Sequence, residues 1–200
     1  METETRVRLF VAFELPPEVQ SRIAARTAPL RAELPAASWV PAERLHLTLV
    51  FLGEVEESRL DALGEALRPA FGAAPRLRLR LAGAGTFPPG RPARVAWIGV
   101  EASGEDTLVA IERVVRAALA PILDRALEER PYHAHVTVAR PRRPWRRAEI
   151  DAFRSACAEL AGEWEAERAV LMESRLGRSD AGAARYEVRH AYPLGGEVAA

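Results

Sequence analysis

Two copies of the pattern His-x-Thr are the residues of this sequence whose types and spacing are best suited to chemistry. The first copy is His46 with Thr48, and the second is His135 with Thr137. If each copy lies on a β-strand, its histidine and threonine share one face, because side chains two residues apart point the same way. Two strands of this kind would place a polar patch on one face of a sheet, within an otherwise apolar protein.

Such a polar patch could combine proton transfer with the binding of an anion. An imidazole with its usual pKa of about 6.5 can donate or accept a proton near neutral pH. Two imidazoles on opposite sides of one reacting atom can act as base and acid, and two threonine hydroxyls can donate hydrogen bonds to charged oxygens. This combination suits attack on phosphorus better than acyl transfer, since no serine or cysteine nucleophile accompanies either histidine. A structural role for each short pattern stays open, although the second copy favours the functional interpretation.

The other histidines and the single cysteine are weaker candidates. His133 has the strand parity of His135, and a His-x-His pair could ligate zinc. No acidic residue lies within residues 130–148 to complete such a site, so we expect no metal. His190 is expected to be structural, and Cys157, in a helical stretch, is expected in the core.

Strand and helix signals alternate along the chain in an order that would position both motifs. Each half has the order strand, helix, strand, helix, strand, and the third element of each half carries His-x-Thr. The predicted strands are 6–15, 45–52, 76–81, 94–100, 133–139, 164–176 and 184–192, and the predicted helices are 17–34, 56–72, 104–127 (with a bend at Pro121) and 147–161.

Local signals refine this assignment. Gly53 is predicted to end the strand 45–52, and residues 83–92 form the strongest loop signal in the chain. A turn is predicted around 177–182. Strand parity places Leu49 and Phe51 on the face opposite the first motif.

The repeated order predicts the fold class. A duplicated α+β unit would place the two motif strands as symmetry mates across a cleft. We predict one domain over residues 1–200, made of two pseudo-symmetric lobes that each have an antiparallel sheet and helices, with the active site between them. One ordinary mixed α/β domain without pseudo-symmetry is the alternative.

Composition excludes several classes of protein. The 28 basic residues are all arginine, which removes lysine Schiff-base chemistry, and they balance 28 acidic residues. One cysteine excludes an internal disulfide framework. No stretch approaches the roughly 18 to 20 apolar residues of a membrane span. The N-terminus lacks the apolar segment of a signal peptide, so we expect a cytoplasmic location and no membrane partner.

Arginines are nevertheless clustered in two stretches without acidic residues, 68–94 and 130–147, with six arginines in each. Guanidinium groups bind phosphate in a bidentate manner. The segment RPRRPWRR at 140–147 is predicted to face phosphate, and its Trp145 either stacks on a base or covers the core. The arginines of 76–80 are expected to be solvated and paired with acids.

The two motifs resemble those of a known family. HLTLVFLGE at 46–54 and HAHVTVAR at 133–140 are similar to the paired motifs of the two-histidine phosphoesterases, and most similar to the RNA 2′,3′-cyclic phosphodiesterases, also called 2′-5′ RNA ligases. The segments RLFVAFELP, WVPAERLHLTLVFLGE, GTFPPGRPARVAWIGV and VLMESRLG extend the resemblance over most of the chain. It implies a bilobal α+β fold and hydrolysis of 2′,3′-cyclic phosphates to 2′-phosphates, without metal or other cofactor. The partners implied are RNA ending in a cyclic phosphate, or cyclic nucleotides.

The resemblance also implies a role for each motif residue. His135 would be the general base on the attacking water, and His46 the general acid on the leaving 3′-oxygen. Thr48 and Thr137 would hold the non-bridging oxygens, and Arg140 matches the family's phosphate-binding arginine five residues after the second histidine.

This sequence departs from the family pattern in two places. Ala134 stands where the family often has proline, which affects the entry to the strand. Strict parity also places Arg140 on the face opposite His135, so the strand must end or twist after Val138 for Arg140 to reach a phosphate.

Two other functions stay open. The same residues could run the reaction in reverse and join RNA ends through a 2′-5′ bond. The cleft could instead serve a non-catalytic nucleotide- or RNA-binding module, although binding alone does not need two proton-transfer groups. We expect a monomer.

Overall fold

Nine β-strands form one sheet in the computed structural model, which describes residues 5–34, 36–89, 92–103, 107–123, 125–127, 130–175 and 185–195. Every strand pair in this sheet is antiparallel, and four helices accompany it among the described residues. The predicted α+β class is confirmed. The elements are β1 Arg6–Glu14, α1 Pro17–Glu33, β2 Ala37–Trp39, β3 His46–Glu56, α2 Leu60–Gly72, β4 Leu77–Phe87, β5 Val95–Ala102, α3 Thr107–Leu119, β6 His135–Pro141, α4 Arg147–Cys157, β7 Glu163–Ala166, β8 Arg168–Arg175 and β9 Arg185–Pro193.

The strand order brings the two motif strands together at the middle of the sheet. The order is β7-β4-β5-β6-β3-β1-β8-β9, and β2 pairs with the free part of β6. The strands follow the same order on both sides of the β3–β6 junction. Each motif strand (β3 or β6) is followed by the first strand of its own half of the chain (β1 or β5), and then by a strand that comes after the last helix of the other half (β8 or β4). The two sides of this one sheet are thus built in the same order, and the organisation of the chain as one domain of two lobes stays a prediction.

The core lies on the helix-covered side of the sheet. In β4 the leucines at 77, 79 and 81 are buried, whereas Arg78 and Arg80 are exposed, as the strict alternation predicts. Helices α2 and α3 pack against each other through apolar stripes such as Leu63 and Leu67 on α2 and Val115 on α3. Full burial of each such side chain stabilises the fold by about 1.5–3 kcal/mol.

A smaller apolar cluster lies on the other side of the sheet, beside the first motif. It consists of Phe10, Ala12, Val170 and Met172. No helix among the described residues is long and apolar enough to cross a membrane.

Gly53 was predicted to end a strand and Gly83 to begin a loop, but both lie inside strands. Gly53 does not end β3, which continues to Glu56, and Gly83 lies within β4, so the predicted loop at 83–92 begins only after Phe87. Both glycines have positive φ, 67° and 68°, next to shifts in strand register. A glycine that adopts positive φ accommodates a β-bulge without ending the pairing.

Two further boundaries also differ from the prediction. The helix predicted over 104–127 is observed only as α3, which ends at Leu119, because a residue before proline, here Ala120, avoids the helical region. The strand predicted over 164–176 is two strands, β7 and β8, which are separated at Glu167. Residues 177–182, where a turn was predicted, lie outside the described residues.

Trp145 and Cys157 both lie in the core. Trp145 is fully buried and its ring packs against Trp39 and Phe153, with centroids 6.2 and 5.7 Å away. The alternative that Trp145 stacks on a base is therefore wrong. Cys157 is fully buried as predicted, and burial raises the pKa of its thiol to about 11.

Candidate active site

The four motif side chains meet where β3 and β6 pair. Leu47 pairs with Val136 across the junction, and both are fully buried on the core side. Because the strands are antiparallel, the residues on either side of this pair lie opposite each other, so His46 faces Thr137 and Thr48 faces His135. The four half-buried side chains thus surround one point on the cleft side of the sheet.

The two imidazoles are held in the same way. Nδ1 of His46 is 2.8 Å from the carbonyl oxygen of Arg44, and Nδ1 of His135 is 2.6 Å from the carbonyl oxygen of His133. A carbonyl oxygen only accepts, so Nδ1 carries the donated proton in both rings. In the neutral form Nε2 then has a free lone pair. Each ring therefore has Nε2 available for proton transfer.

Burial lowers the pKa of both site histidines. For His46, desolvation is the largest cause; the Arg44 carbonyl opposes it, and the charges of Arg140 and His135 lower the pKa further. For His135, desolvation again dominates; the His133 carbonyl opposes it, and the charges of His133 and Arg140 add to the lowering. Both rings are therefore predominantly neutral at pH 7 in the free protein.

The side chain of Arg140 reaches the cleft through a β-bulge. Thr137 pairs with Trp97 and Ala139 pairs with Ala96, so Val138 is an extra residue in β6. Val138 and Ala139 are both buried, and the exposed Arg140 follows them on the motif side. The strand does not end after Val138; the bulge inverts its alternation instead. The influence of Arg140 on both histidine pKa values agrees with this placement.

Aromatic rings that sequence reasoning missed flank both histidines. The ring of His46 lies 4.8 Å from that of Phe10 and 5.1 Å from that of Tyr186. The ring of His135 lies 5.1 Å from that of Phe87 and 6.2 Å from that of Trp97. Because Phe10 and Trp97 lie on the neighbouring strands β1 and β5, strand pairing alone could have revealed them.

Trp97 lies flat on its own sheet. A Cβ atom at Gly85 would collide with its indole ring, and one at Gly99 would lie 3.5 Å from it. Gly85 thus makes room for a broad ring beside His135, whereas a Cβ atom at Gly99 would collide with the backbone carbonyl of Ala82.

Tyr132 connects the two motifs. Its hydroxyl donates a hydrogen bond to the carbonyl oxygen of Thr48, 3.0 Å away, and burial raises its pKa. The residue precedes the second motif in the chain but holds the backbone of the first.

The arginines that follow Arg140 are mostly occupied elsewhere. Arg143 pairs with Glu149 at 2.7 Å, and Arg147 pairs with Asp151 at 2.8 Å, both carboxylates being on α4. Helix carboxylates thus pair with both guanidinium groups, and the phosphate-facing role of this segment stays a prediction. Arg76 and Arg80 are paired with acids as predicted: Arg76 with Glu165 and Glu167, and Arg80 with Glu101.

Of the two remaining histidines, His133 lines the same cavity as His135 and Thr48, and its ring lies 6.1 Å from that of His135. His133 is exposed and its ring is 4.5 Å from that of Trp97. His190 stacks on Tyr192 and packs over Gly64. Within the described part of the chain, no cluster of three or more histidine, cysteine or acidic residues could hold a metal ion.

The two site histidines open onto different cavities. His135 and Thr48 line a cavity of about 870 Å³, together with Tyr132 and Arg94. His46 lines a cavity of about 820 Å³ on its other side, next to Tyr186. This arrangement places one imidazole on each side of the junction.

Comparison with known proteins identifies the family. A sequence profile of the 2′-5′ RNA ligase superfamily matches residues 15–178, and this chain belongs to that superfamily. The RNA 2′,3′-cyclic phosphodiesterase of Archaeoglobus fulgidus is 35% identical over 175 residues, which are 85% of this chain and 92% of that protein. The protein of the same name from Geobacillus stearothermophilus is 30% identical over 94% of this chain. The matched region is only 58% of the length of that Geobacillus protein.

Solved structures agree with this assignment. The structure of TT0787 from Thermus thermophilus has a TM-score of 0.74 at 30% identity, covering 95% of this chain and 99% of that one. The structure of Escherichia coli LigT complexed with 3′-AMP has a TM-score of 0.73 at 27% identity, with the same coverage. The resemblance inferred from the two motifs is confirmed.

Proposed function

We propose that this protein hydrolyses the 2′,3′-cyclic phosphate at RNA ends to a 2′-phosphate, and that His46, Thr48, His135, Thr137 and Arg140 carry out the reaction. The observation that carries the proposal is the β3–β6 junction, where two identically held imidazoles flank a pair of threonines. The relatives named RNA 2′,3′-cyclic phosphodiesterase support the choice of substrate.

The reaction needs two proton transfers on opposite sides of phosphorus. Nε2 of neutral His135 accepts a proton from water as the water oxygen bonds to phosphorus. Nε2 of protonated His46 donates a proton to the 3′-oxygen as its bond to phosphorus breaks. The catalyst thus ends with the two protonation states exchanged, and a proton transfer through solvent restores them. The assignment of base and acid follows the family resemblance.

Charge on the non-bridging oxygens is balanced by fixed donors. The hydroxyls of Thr48 and Thr137 donate hydrogen bonds to these oxygens, and Arg140 adds a positive charge. Donors that are held in place before the reaction stabilise developing charge without having to reorganise.

Product analysis tests the proposal. A short RNA ending in a 2′,3′-cyclic phosphate should give a 2′-phosphate end. A 3′-phosphate product would mean that the 2′-oxygen leaves, which would overturn the assigned geometry. No product at all, from a folded protein at several pH values, would favour the binding-module alternative.

Ligation is the second candidate function, and the name of the superfamily favours it. The same groups would act in the same roles, with an RNA 5′-hydroxyl in place of water: His135 would accept its proton as its oxygen bonds to phosphorus, and His46 would protonate the leaving 3′-oxygen. Adding a 5′-hydroxyl RNA to the assay would reveal a longer product with a 2′-5′ bond.

The pH dependence follows from the two lowered pKa values. Since kcat/KM reports the free enzyme, and a protonated His46 becomes populated only as the pH falls, we expect a bell-shaped profile with its maximum on the acidic side of about 6.5. A bound anionic phosphate raises both pKa values, so the maximum of kcat should lie at higher pH. Measuring both profiles on a cyclic mononucleotide checks this. A kcat/KM maximum above that of kcat would contradict it.

Chelation should leave activity unchanged. Because side chains supply every proton transfer and every oxyanion contact in this mechanism, turnover of a 2′,3′-cyclic mononucleotide should persist in EDTA at its full rate. Initial rates before and after dialysis against EDTA check this. A complete loss that added divalent metal restores would overturn the metal-free mechanism.

Replacing Tyr132 with phenylalanine should weaken the link between the motifs. Removing its hydrogen bond to Thr48 should lower the free energy of unfolding by about 1 kcal/mol and kcat by roughly 3- to 10-fold, through a displaced threonine. Tyr192→Phe is the matched control, because Tyr192 also donates to a carbonyl, that of Gly64 at 3.1 Å, but away from the site. Urea unfolding and steady-state kinetics should show a similar stability loss in both variants and a kcat loss only in Tyr132→Phe. Equal effects on kcat would show that Tyr132 has a purely structural role.

A further inference from the structure

A groove of about 680 Å³ lies between the edge of β4 and the helix α4. Strand β7 pairs only with Leu77–Arg80 of β4, so among the described residues no strand covers the edge of β4 beyond them. Gly85 lies on this edge, and Ile150 and Arg154, which share one face of α4, form the opposite wall. We call this cavity the α4 groove.

The α4 groove adjoins the cavity that holds Thr48 and His135. Pro89 lines both of them. Trp97 lines the groove, and its ring lies 5.4 Å from that of Phe87 and 6.2 Å from that of His135, which both line the first cavity. A chain whose end lies at the motifs can therefore pass from the first cavity into the groove.

The first cavity by itself has the size of a site for one small ligand. Its volume is about 870 Å³. It includes Phe51, because a register shift after Thr48 makes Leu49 an extra residue in β3. Leu49 and Val50 are both buried, and Phe51 follows them on the cleft side with 50% of its surface exposed. The prediction that Phe51 lies opposite the first motif is therefore wrong, and an RNA longer than one nucleotide must extend beyond this cavity.

Three arginines follow the path from the first cavity to the groove. Ala93 and Trp145 form a β-bridge and are fully buried, so their neighbours Arg94 and Arg146 point away from the core. Arg94 lines the first cavity, and Arg146 and Arg154 line the α4 groove. Within the described part of the chain, no carboxylate forms a salt bridge with any of these three arginines, in contrast to other arginines of the same segment.

The acidic residue of the groove is already paired. Asp151 lines the groove, but Arg147 holds its carboxylate at 2.8 Å. Because Arg147 and Asp151 neutralise each other, Arg146 and Arg154 leave the groove with a positive charge. Guanidinium groups bind phosphate in a bidentate manner.

The cavity on the His46 side of the site has the opposite charge. Its basic residues are Arg44 and Arg168. Five glutamates outnumber them there: Glu14, Glu18, Glu43, Glu165 and Glu167. Since an excess of carboxylates repels a polyanion, the distribution of charge favours the α4 groove as the path of an RNA chain.

We propose that the α4 groove binds the RNA chain upstream of the terminal nucleotide. Phosphates of this chain contact Arg146 and Arg154, and its bases lie against the apolar wall that Pro92 and Ile150 provide. A positively charged groove that follows the backbone is the usual means of binding single-stranded nucleic acid. This inference rests on the proposed function, which places the cyclic phosphate at the motifs.

Two substrates and two variants test the α4 groove. The substrates are a 2′,3′-cyclic mononucleotide and a hexanucleotide ending in the same cyclic nucleotide, and the wild type should show a higher kcat/KM for the hexanucleotide. Arg146→Gln and Arg154→Gln should each lower that value roughly 3- to 10-fold and leave the mononucleotide value unchanged. Each should also reduce the slope of log kcat/KM against log salt for the hexanucleotide by about 0.7, the contribution of one contact with a single-stranded phosphate.

Arg113→Gln provides the matched control. Arg113 is exposed on α3, which packs against α2, and it lines neither the first cavity nor the groove. This variant should not change the kinetics of either substrate. Equal kcat/KM values for both substrates in the wild type would overturn the proposal. So would equal losses on both substrates in Arg146→Gln and Arg154→Gln, or hexanucleotide values no lower than that of Arg113→Gln.

Failure of the proposed function would be visible separately. If neither substrate turns over, the fluorescence anisotropy of a 5′-labelled hexanucleotide ending in a 2′-phosphate still measures binding. A Kd raised roughly 3- to 10-fold in Arg146→Gln and in Arg154→Gln, but not in Arg113→Gln, would support the groove without the reaction. A Kd unchanged in both groove variants would overturn it.

Discussion

We expect His46→Ala and His135→Ala each to lower kcat for the opening of a 2′,3′-cyclic phosphate by roughly 10²- to 10⁴-fold, the usual effect of removing a general acid or base. Each ring has Nε2 available for proton transfer because Nδ1 is bound to a backbone carbonyl. Since the two rings lie on opposite sides of the junction, neither can take over the other's proton transfer. Steady-state kinetics on a cyclic mononucleotide measure the effect.

A substrate with a better leaving group separates the two roles. The activity of His46→Ala should recover substantially on a nucleoside phosphodiester that releases p-nitrophenolate, because this leaving group departs without protonation. The activity of His135→Ala should not recover, since activation of water is still required. His190→Asn is the control, because His190 packs over Gly64 away from the site. Recovery of His135→Ala alone would reverse the assignment, and full activity in either alanine variant would remove that residue from the mechanism.

The threonines should have the second-largest effect. Thr48→Val and Thr137→Val keep the shape of the side chain but remove its donor, and each should lower kcat by roughly 10²-fold or more, as for other oxyanion donors. The loss should fall mainly on kcat, because negative charge on the non-bridging oxygens increases in the transition state.

A buried threonine on β4, which is separated from the motif strand β6 by β5, provides the control. Thr86 is 8% exposed, and Thr86→Val should change stability without changing kcat. If Thr48→Val or Thr137→Val raises KM and leaves kcat intact, the hydroxyl binds the ground state and transition state equally. That result would exclude the proposed stabilisation of charge.

Much of the candidate site could be predicted from local sequence. The two His-x-Thr patterns, each on a strand, placed histidine with threonine because strand parity is a property of neighbouring residues. Buried Leu47 and Val136 confirm that parity at the centre of the site. The α+β class followed from the alternation of helix and strand signals in the same way.

Other features of the site depend on contacts with residues that are distant in sequence. The face taken by Phe51 and that taken by Arg140 both depend on bulges, which form through pairing with β1 and β5. The arginines at 143 and 147 looked available for phosphate until α4 brought carboxylates beside them. Local alternation could not reveal either outcome.

The sequence by itself thus determined which groups could carry out the chemistry, and it determined their pairing within each motif. It also showed arginine-rich stretches that the net charge of zero conceals. Only the tertiary structure decided which arginines stay unpaired near the cleft, which ring atoms are available for proton transfer, and which residue follows each motif into the cleft. The physical reason is that side-chain parity is set within one strand, whereas register, bulges and ion pairs are set between elements.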